Sequence, residues 1–129
     1  MNLRWIKPLF IIAGIYDGLL GIVFLFFGAQ IFRMSGVTPP NHIGYIQFPA
    51  LILLVFAAMF FQVAAHPARN RVLIPYGAGI KVAYCGVVFW NAINGGIPNL
   101  WMPWAWMDLI FLVSFVIAWN RLRPATQGI

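Results

Sequence analysis

Along most of this chain apolar residues follow one another without interruption. Leu51–Phe61 is an unbroken run of eleven, and three further stretches are nearly as continuous. The period-two alternation of a membrane β-barrel is absent, so the runs predict lipid-buried helices. A hydrocarbon core takes about 20 helical residues to cross. Four stretches meet that length: Pro8–Phe32, Tyr45–Ala65, Val72–Trp90 and Trp104–Trp119. They use most of the 129 residues and leave no room for a soluble domain. The sequence therefore predicts an all-α fold, a single transmembrane four-helix bundle over residues 1–129.

Proline and tryptophan placement agree with these spans. Pro8, Pro49, Pro75 and Pro103 fall within the first turns, where a missing N–H matters least. Pro39, Pro40, Pro67, Pro98 and Pro124 fall in connections or beyond the last helix. Trp5 and Trp119 mark one membrane interface, while Trp90, Trp101, Trp104 and Trp106 cluster at the other. Tryptophan concentrates at headgroup depth because its ring is apolar and its N–H is not.

Composition removes most alternatives. The chain is 63% hydrophobic and 8% charged, whereas soluble domains carry about 25% charged residues. A soluble enzyme, a disordered tail and a coiled coil are excluded. The single cysteine, Cys85, allows no intrachain disulfide. Arg4, Lys7, Arg69, Arg71, Arg121 and Arg123 all fall on one side of a four-pass topology, and only Arg33 falls on the other. That bias predicts both termini inside, in the cytoplasm. A net charge of +6 would suggest nucleic acid in a soluble protein. Here the charges read as topogenic, facing anionic lipid headgroups, with no nucleic-acid partner. The first span is too long for a signal-peptide core, carries Asp17 and lacks an A-x-A-like site, so it is expected to stay.

Three charged residues lie inside the spans: Asp17, Lys81 and Asp108. Each costs roughly 2.5–3.5 kcal/mol at mid-membrane on an insertion scale, so each requires a partner. Asp17 is nine residues past Pro8 and Lys81 nine past Val72, both counted from the basic side. At about 1.5 Å per residue both lie roughly 13–14 Å deep, which pairs Asp17 with Lys81. Asp108 comes four residues into its span from the opposite side. It is expected to be shallower, a second polar site that caps its own helix N-terminus or binds a ligand.

Helical spacing supports the pairing. Gly14, Asp17, Gly18, Gly21 and Gly28 form one stripe, and Gly77, Lys81, Tyr84, Val88 and Asn91 form another. Gly14-x-x-x-Gly18 permits close approach of a neighbouring helix. Two roles stay open for the pair. It is either an ion pair that sets helix register or part of a polar pocket for a headgroup, quinone or proton, lined by Tyr16, Tyr84 and Gln62.

Other chemistries find little support. His42 and His66 occupy connections on opposite sides of the membrane, so they cannot share a metal, and no standard metal site assembles. Neither serine, Ser35 or Ser114, stands in a nucleophile motif. Gly95-Gly96 with Ile97-Pro98 is a turn rather than a phosphate loop. Arg33–Gly44 forms an outer loop without recognisable chemistry.

The stretches Gly14-Ile-Tyr-Asp-Gly-Leu-Leu-Gly-Ile-Val-Phe-Leu-Phe-Phe-Gly28 and Tyr76-Gly-Ala-Gly-Ile-Lys-Val-Ala-Tyr84 resemble the small bacterial four-helix membrane proteins grouped as DoxX-like. That resemblance implies a compact bundle in the bacterial inner membrane. Some members of the group are subunits of quinone-linked membrane oxidoreductases. It transfers no catalytic residue. The leading expectation is a non-catalytic integral membrane protein in the lipid bilayer, a homo-oligomer or the accessory subunit of a larger membrane complex. The rival is a binding or transport module holding a lipid-soluble ligand or a proton at Asp17–Lys81. A third reading is a small isomerase or reductase with Asp17 or Asp108 as the acid–base group. No cofactor is predicted, a quinone or lipid being the compatible ligand.

Overall fold

The computed structural model describes residues 3–122, and among these the chain forms helices and no strand. Four long helices follow in order: α1 (Ile6–Met34), α2 (Gly44–Ala65), α3 (Ile74–Asn94) and α4 (Met102–Arg121). Short 3-10 turns at Arg71–Leu73 and Asn99–Trp101 lead into α3 and α4. All four helices are long and apolar enough to cross a membrane. Arg123, one of the basic residues used to orient the chain, lies outside the described residues.

The helices overrun the apolar spans for local reasons. At the end of α3, the side-chain amides of Asn91 and Asn94 donate to the carbonyls of Val87 (2.8 Å) and Trp90 (2.9 Å). These bonds satisfy the amides without leaving the helix, which therefore continues past Trp90. α2 starts at Gly44, so Pro49 stands inside the helix rather than in its first turn. Its ring nitrogen has no proton to offer the carbonyl one turn back. α1 is bent at Phe27, whose φ of −127° and ψ of 15° interrupt the helical backbone just before Gly28. α1 closes at Gly36, whose φ of +75° lets the Val37 N–H donate to the Phe32 carbonyl at 2.8 Å.

α1 packs closely on α2 along the glycine stripe. A Cβ at Gly21 would stand 2.8 Å from the Ala50 carbonyl oxygen and 3.0 Å from Leu54 Cγ. One at Gly14 would meet the Phe61 ring at 2.8 Å, and one at Gly28 would collide with Ile46. Gly18 is different: its Cβ would make an ordinary 3.6 Å contact with Ala57. The stripe thus serves the α1–α2 contact, and Asp17 projects from its edge toward α3. α3 and α4 form the second hairpin.

The two hairpins meet most tightly at the end where α1 begins and α4 finishes. Phe10 of α1, Phe60 of α2 and Phe115 of α4 are fully buried there. Phe10 stacks on Phe115 with centroids 4.8 Å apart, and Phe60 tilts against Phe115 at 5.2 Å. Ile74 of α3 completes the core, and Gly77 brings α3 up to Phe60, whose ring a Cβ would meet at 2.5 Å. Arg71 closes this end by donating from Nε to the Trp119 carbonyl at 2.9 Å, its guanidinium 3.9 Å from the Trp119 ring centroid. A cation at the C-terminus of α4 also meets the negative end of the helix dipole.

Candidate functional site

Above the phenylalanine core the helices carry charge. The Lys81 ammonium donates to Asp17 Oδ1 at 2.8 Å and to Asp108 Oδ1 at 3.1 Å. Asp17 and Lys81 are each 1% exposed and Asp108 8%. Three helices therefore converge on one nitrogen: α1 supplies Asp17, α3 Lys81 and α4 Asp108. The ammonium also lies 5.2 Å from the Phe111 ring centroid, 5.5 Å from Phe60 and 5.6 Å from Tyr16. Aromatic faces carry partial negative charge, so this collar favours a cation.

Asp108 is not the site separate from Asp17 and Lys81 that its position in the sequence suggests. Counting from Trp104 placed it one turn inside the membrane. In the structure α4 begins at Met102 after a 3-10 turn, so Asp108 stands well inside the helix, beyond any N-terminal capping position. The long Lys81 side chain spans the remaining distance. Asp108 therefore belongs to the same cluster as Asp17 and Lys81.

A cavity of about 710 Å³ fills the half of the bundle away from the start of α1. Its floor is Asp17, Lys81 and Asp108. Its walls are otherwise almost wholly apolar, with Phe24 from α1, Leu53 from α2, Ala83 from α3 and Trp104 from α4. Thr38 and Pro40 of the connection after α1 contribute at the far end. Phe48 of α2 and Val87 of α3 line it too while being 67% and 60% exposed, so it opens sideways between α2 and α3.

Three buried polar atoms at this level have no hydrogen-bond partner: Asp17 Oδ2, Tyr16 Oη and Trp104 Nε1. A buried, unsatisfied polar group costs about 1–3 kcal/mol. Asp17 and Trp104 both line the cavity. The floor is thus ready to make hydrogen bonds that the protein does not itself complete.

The remaining sequence candidates divide. Tyr84 lines the cavity, but its hydroxyl is engaged, donating to the Trp101 carbonyl at 2.9 Å. That bond ties α3 to the turn before α4. Tyr16 tilts against Phe111 at 5.3 Å and Trp104 at 6.3 Å, beside the cluster. Gln62 is exposed and takes no part; its backbone carbonyl accepts from the Asn70 side chain at 2.8 Å. Asn91 is exposed as well. His42 Nδ1 accepts from the Gly44 N–H at 2.9 Å, which satisfies a free donor at the start of α2. Cys85 is buried, its Sγ 3.4 Å from the Ala105 carbonyl. Among the described residues no group of three His, Cys, Asp or Glu side chains has metal-binding geometry.

Sequence reasoning allowed for a polar pocket at Asp17–Lys81 but not for its extent or its apolar walls, and it missed the reach of Arg71. Trp101 and Trp104 signalled an interface, yet they also wall the cavity, and periodicity carries no sign of empty space between helices. Comparison with family models, curated proteins and solved structures finds no match to this chain. Nothing in those comparisons identifies the DoxX-like family that its glycine-rich helices resemble.

Proposed function

We propose that this chain is a multi-pass membrane protein that holds a membrane-soluble small molecule, its polar end on Asp17–Lys81–Asp108 and its apolar part along the aromatic walls. One observation carries the reading: a cavity of about 710 Å³ ends on a buried charged cluster in which Asp17 Oδ2 has no partner. Ligand pockets have this character, mostly apolar with a few convergent polar groups. The sideways opening between α2 and α3 gives a route from the bilayer.

The role is binding or transport rather than catalysis. A role as homo-oligomer or accessory subunit rests on size and composition, whereas the cavity is a specific feature and takes precedence. The bias of the basic residues supports cytoplasmic termini, and the resemblance to DoxX-like proteins supports a bacterial inner membrane.

The test is native mass spectrometry of the protein extracted in nanodiscs, beside an Ala83→Phe variant. Ala83 lines the cavity from the exposed side of α3, so a phenyl ring can enter without displacing a core side chain. Wild type is expected to retain a small molecule that Ala83→Phe lacks. Identical spectra would remove the binding reading. A stoichiometric protein partner in both samples would restore the subunit reading.

A further inference from the structure

From the charge balance and the unpaired acceptor at the floor of the cavity, we infer that the molecule it receives is a monocationic amphiphile, a lipophilic amine whose ammonium group docks beside Asp17. This inference rests on the binding reading above and names its ligand class. Among the residues lining the cavity only Asp17, Lys81 and Asp108 carry formal charge. Two carboxylates face one ammonium, so the fully ionised floor carries one negative charge in excess. Buried charge that is not matched by a partner is costly, and one further cation restores balance.

Geometry says where that cation goes. Lys81 already occupies Asp17 Oδ1 and Asp108 Oδ1. Asp17 Oδ2 is buried, faces no donor and belongs to a residue that lines the cavity. An alkylammonium brings N–H donors to that oxygen in a charge-assisted hydrogen bond. The walls suit the rest of the molecule. Phe24 stacks on Trp101 with centroids 6.2 Å apart, and Trp104 lines the same cavity. These rings offer apolar area to a hydrocarbon chain and π-faces to a cation as it descends. A carboxylate head would instead meet two like charges, and a neutral alcohol would leave the excess charge unmatched.

The experiment titrates the protein, in nanodiscs of zwitterionic phosphatidylcholine, with three probes of equal chain length: dodecylammonium, dodecan-1-ol and dodecanoate. The readouts are tryptophan fluorescence, to which the cavity residues Trp101 and Trp104 contribute, and the thermal unfolding midpoint. Wild type, Asp108→Asn, Asp17→Asn and Ala83→Phe are compared. The expected result is dodecylammonium binding at least about tenfold tighter than dodecan-1-ol to wild type. That preference should collapse in Asp108→Asn and Asp17→Asn, and Ala83→Phe should weaken all probes. If Asp17→Asn does not fold, Asp108→Asn and the wild-type probe series decide alone. Dodecan-1-ol or dodecanoate matching dodecylammonium in wild type, with Ala83→Phe still weakening them, overturns the cationic ligand and leaves the cavity reading standing. Ammonium preference that persists in Asp108→Asn overturns the assignment to this cluster. No difference between wild type and Ala83→Phe for any probe removes the cavity reading and the inference with it.

Discussion

At the end of the bundle where α1 begins and α4 finishes, Phe10, Phe60 and Phe115 fill the space between helices. At the opposite end the same helices part around about 710 Å³ of space. Both halves are built from similar apolar residues, so composition does not separate them. The difference lies in what crosses the middle. In the packed half, rings from three helices interdigitate, and Gly77 lets α3 close on Phe60. In the open half, bulky side chains stand around the void instead of across it. Phe24 and Phe32 are taken up by Trp101, at 6.2 Å and 5.4 Å between centroids. Asp17, Lys81 and Asp108 mark the boundary. Within a bilayer, exclusion from water gives no preference for one apolar neighbour over another, so packing and polar contacts decide where helices touch. One end is a clamp and the other encloses open space.

Substitutions can break or sharpen this contrast. The largest effect is expected at the boundary. Lys81→Met leaves two carboxylates facing each other in a buried site and should destabilise the bundle by about 3–5 kcal/mol, measured by unfolding in mixed micelles. Combining it with Asp17→Asn and Asp108→Asn should recover most of that loss; failure to recover would mean that Lys81 acts through packing rather than charge.

Next comes the clamp. Phe115→Ala should cost about 2–4 kcal/mol by leaving a void where rings were in contact. Leu53→Ala, in the cavity wall, should cost under about 1 kcal/mol because that space is already open. Similar costs for the two would erase the distinction between the halves.

A smaller effect is expected at the α1–α2 contact. Gly21→Ala pushes a methyl group against the Ala50 carbonyl and should cost about 1–3 kcal/mol. Gly18→Ala, which has ordinary contact distance to Ala57, should stay within about 0.5 kcal/mol. Paired unfolding midpoints would show whether the glycine stripe is required residue by residue.

The smallest change in stability is expected from Ala83→Phe, within about 0.5 kcal/mol of wild type, together with loss of bound small molecule. A large destabilisation there would mean that the cavity is too narrow to admit a phenyl ring.

Much of the architecture could be read without coordinates. Unbroken runs such as Leu51–Phe61 admit one backbone solution in lipid, because every N–H and C=O must be satisfied within the segment. Pro8, Pro75 and Pro103 stand in the first turns of their helices as their positions predict, whereas Pro49 lies inside α2. Equal depth from the basic side paired Asp17 with Lys81, since rise per residue is a property of the helix itself. Depth along the chain does not join Asp108 to the other two, because the contact depends on how far the long lysine side chain reaches from its backbone. Gln62 was drawn toward the pocket by its polarity, although its place on α2 turns it outward.

The sequence by itself determined that the chain is helical, that four segments are long and apolar enough to span a membrane, and that its few buried charges need one another. Those are consequences of backbone hydrogen bonding and of local spacing along single helices. Only the tertiary structure decided that Asp108 joins the other two, that Tyr84 is spent on the Trp101 carbonyl, and that the space above the cluster stays open. Each of these depends on the angle and separation between helices, which arise from many small contacts among residues distant in the chain. A run of apolar residues reads the same whether it closes on a neighbour or stands away from it.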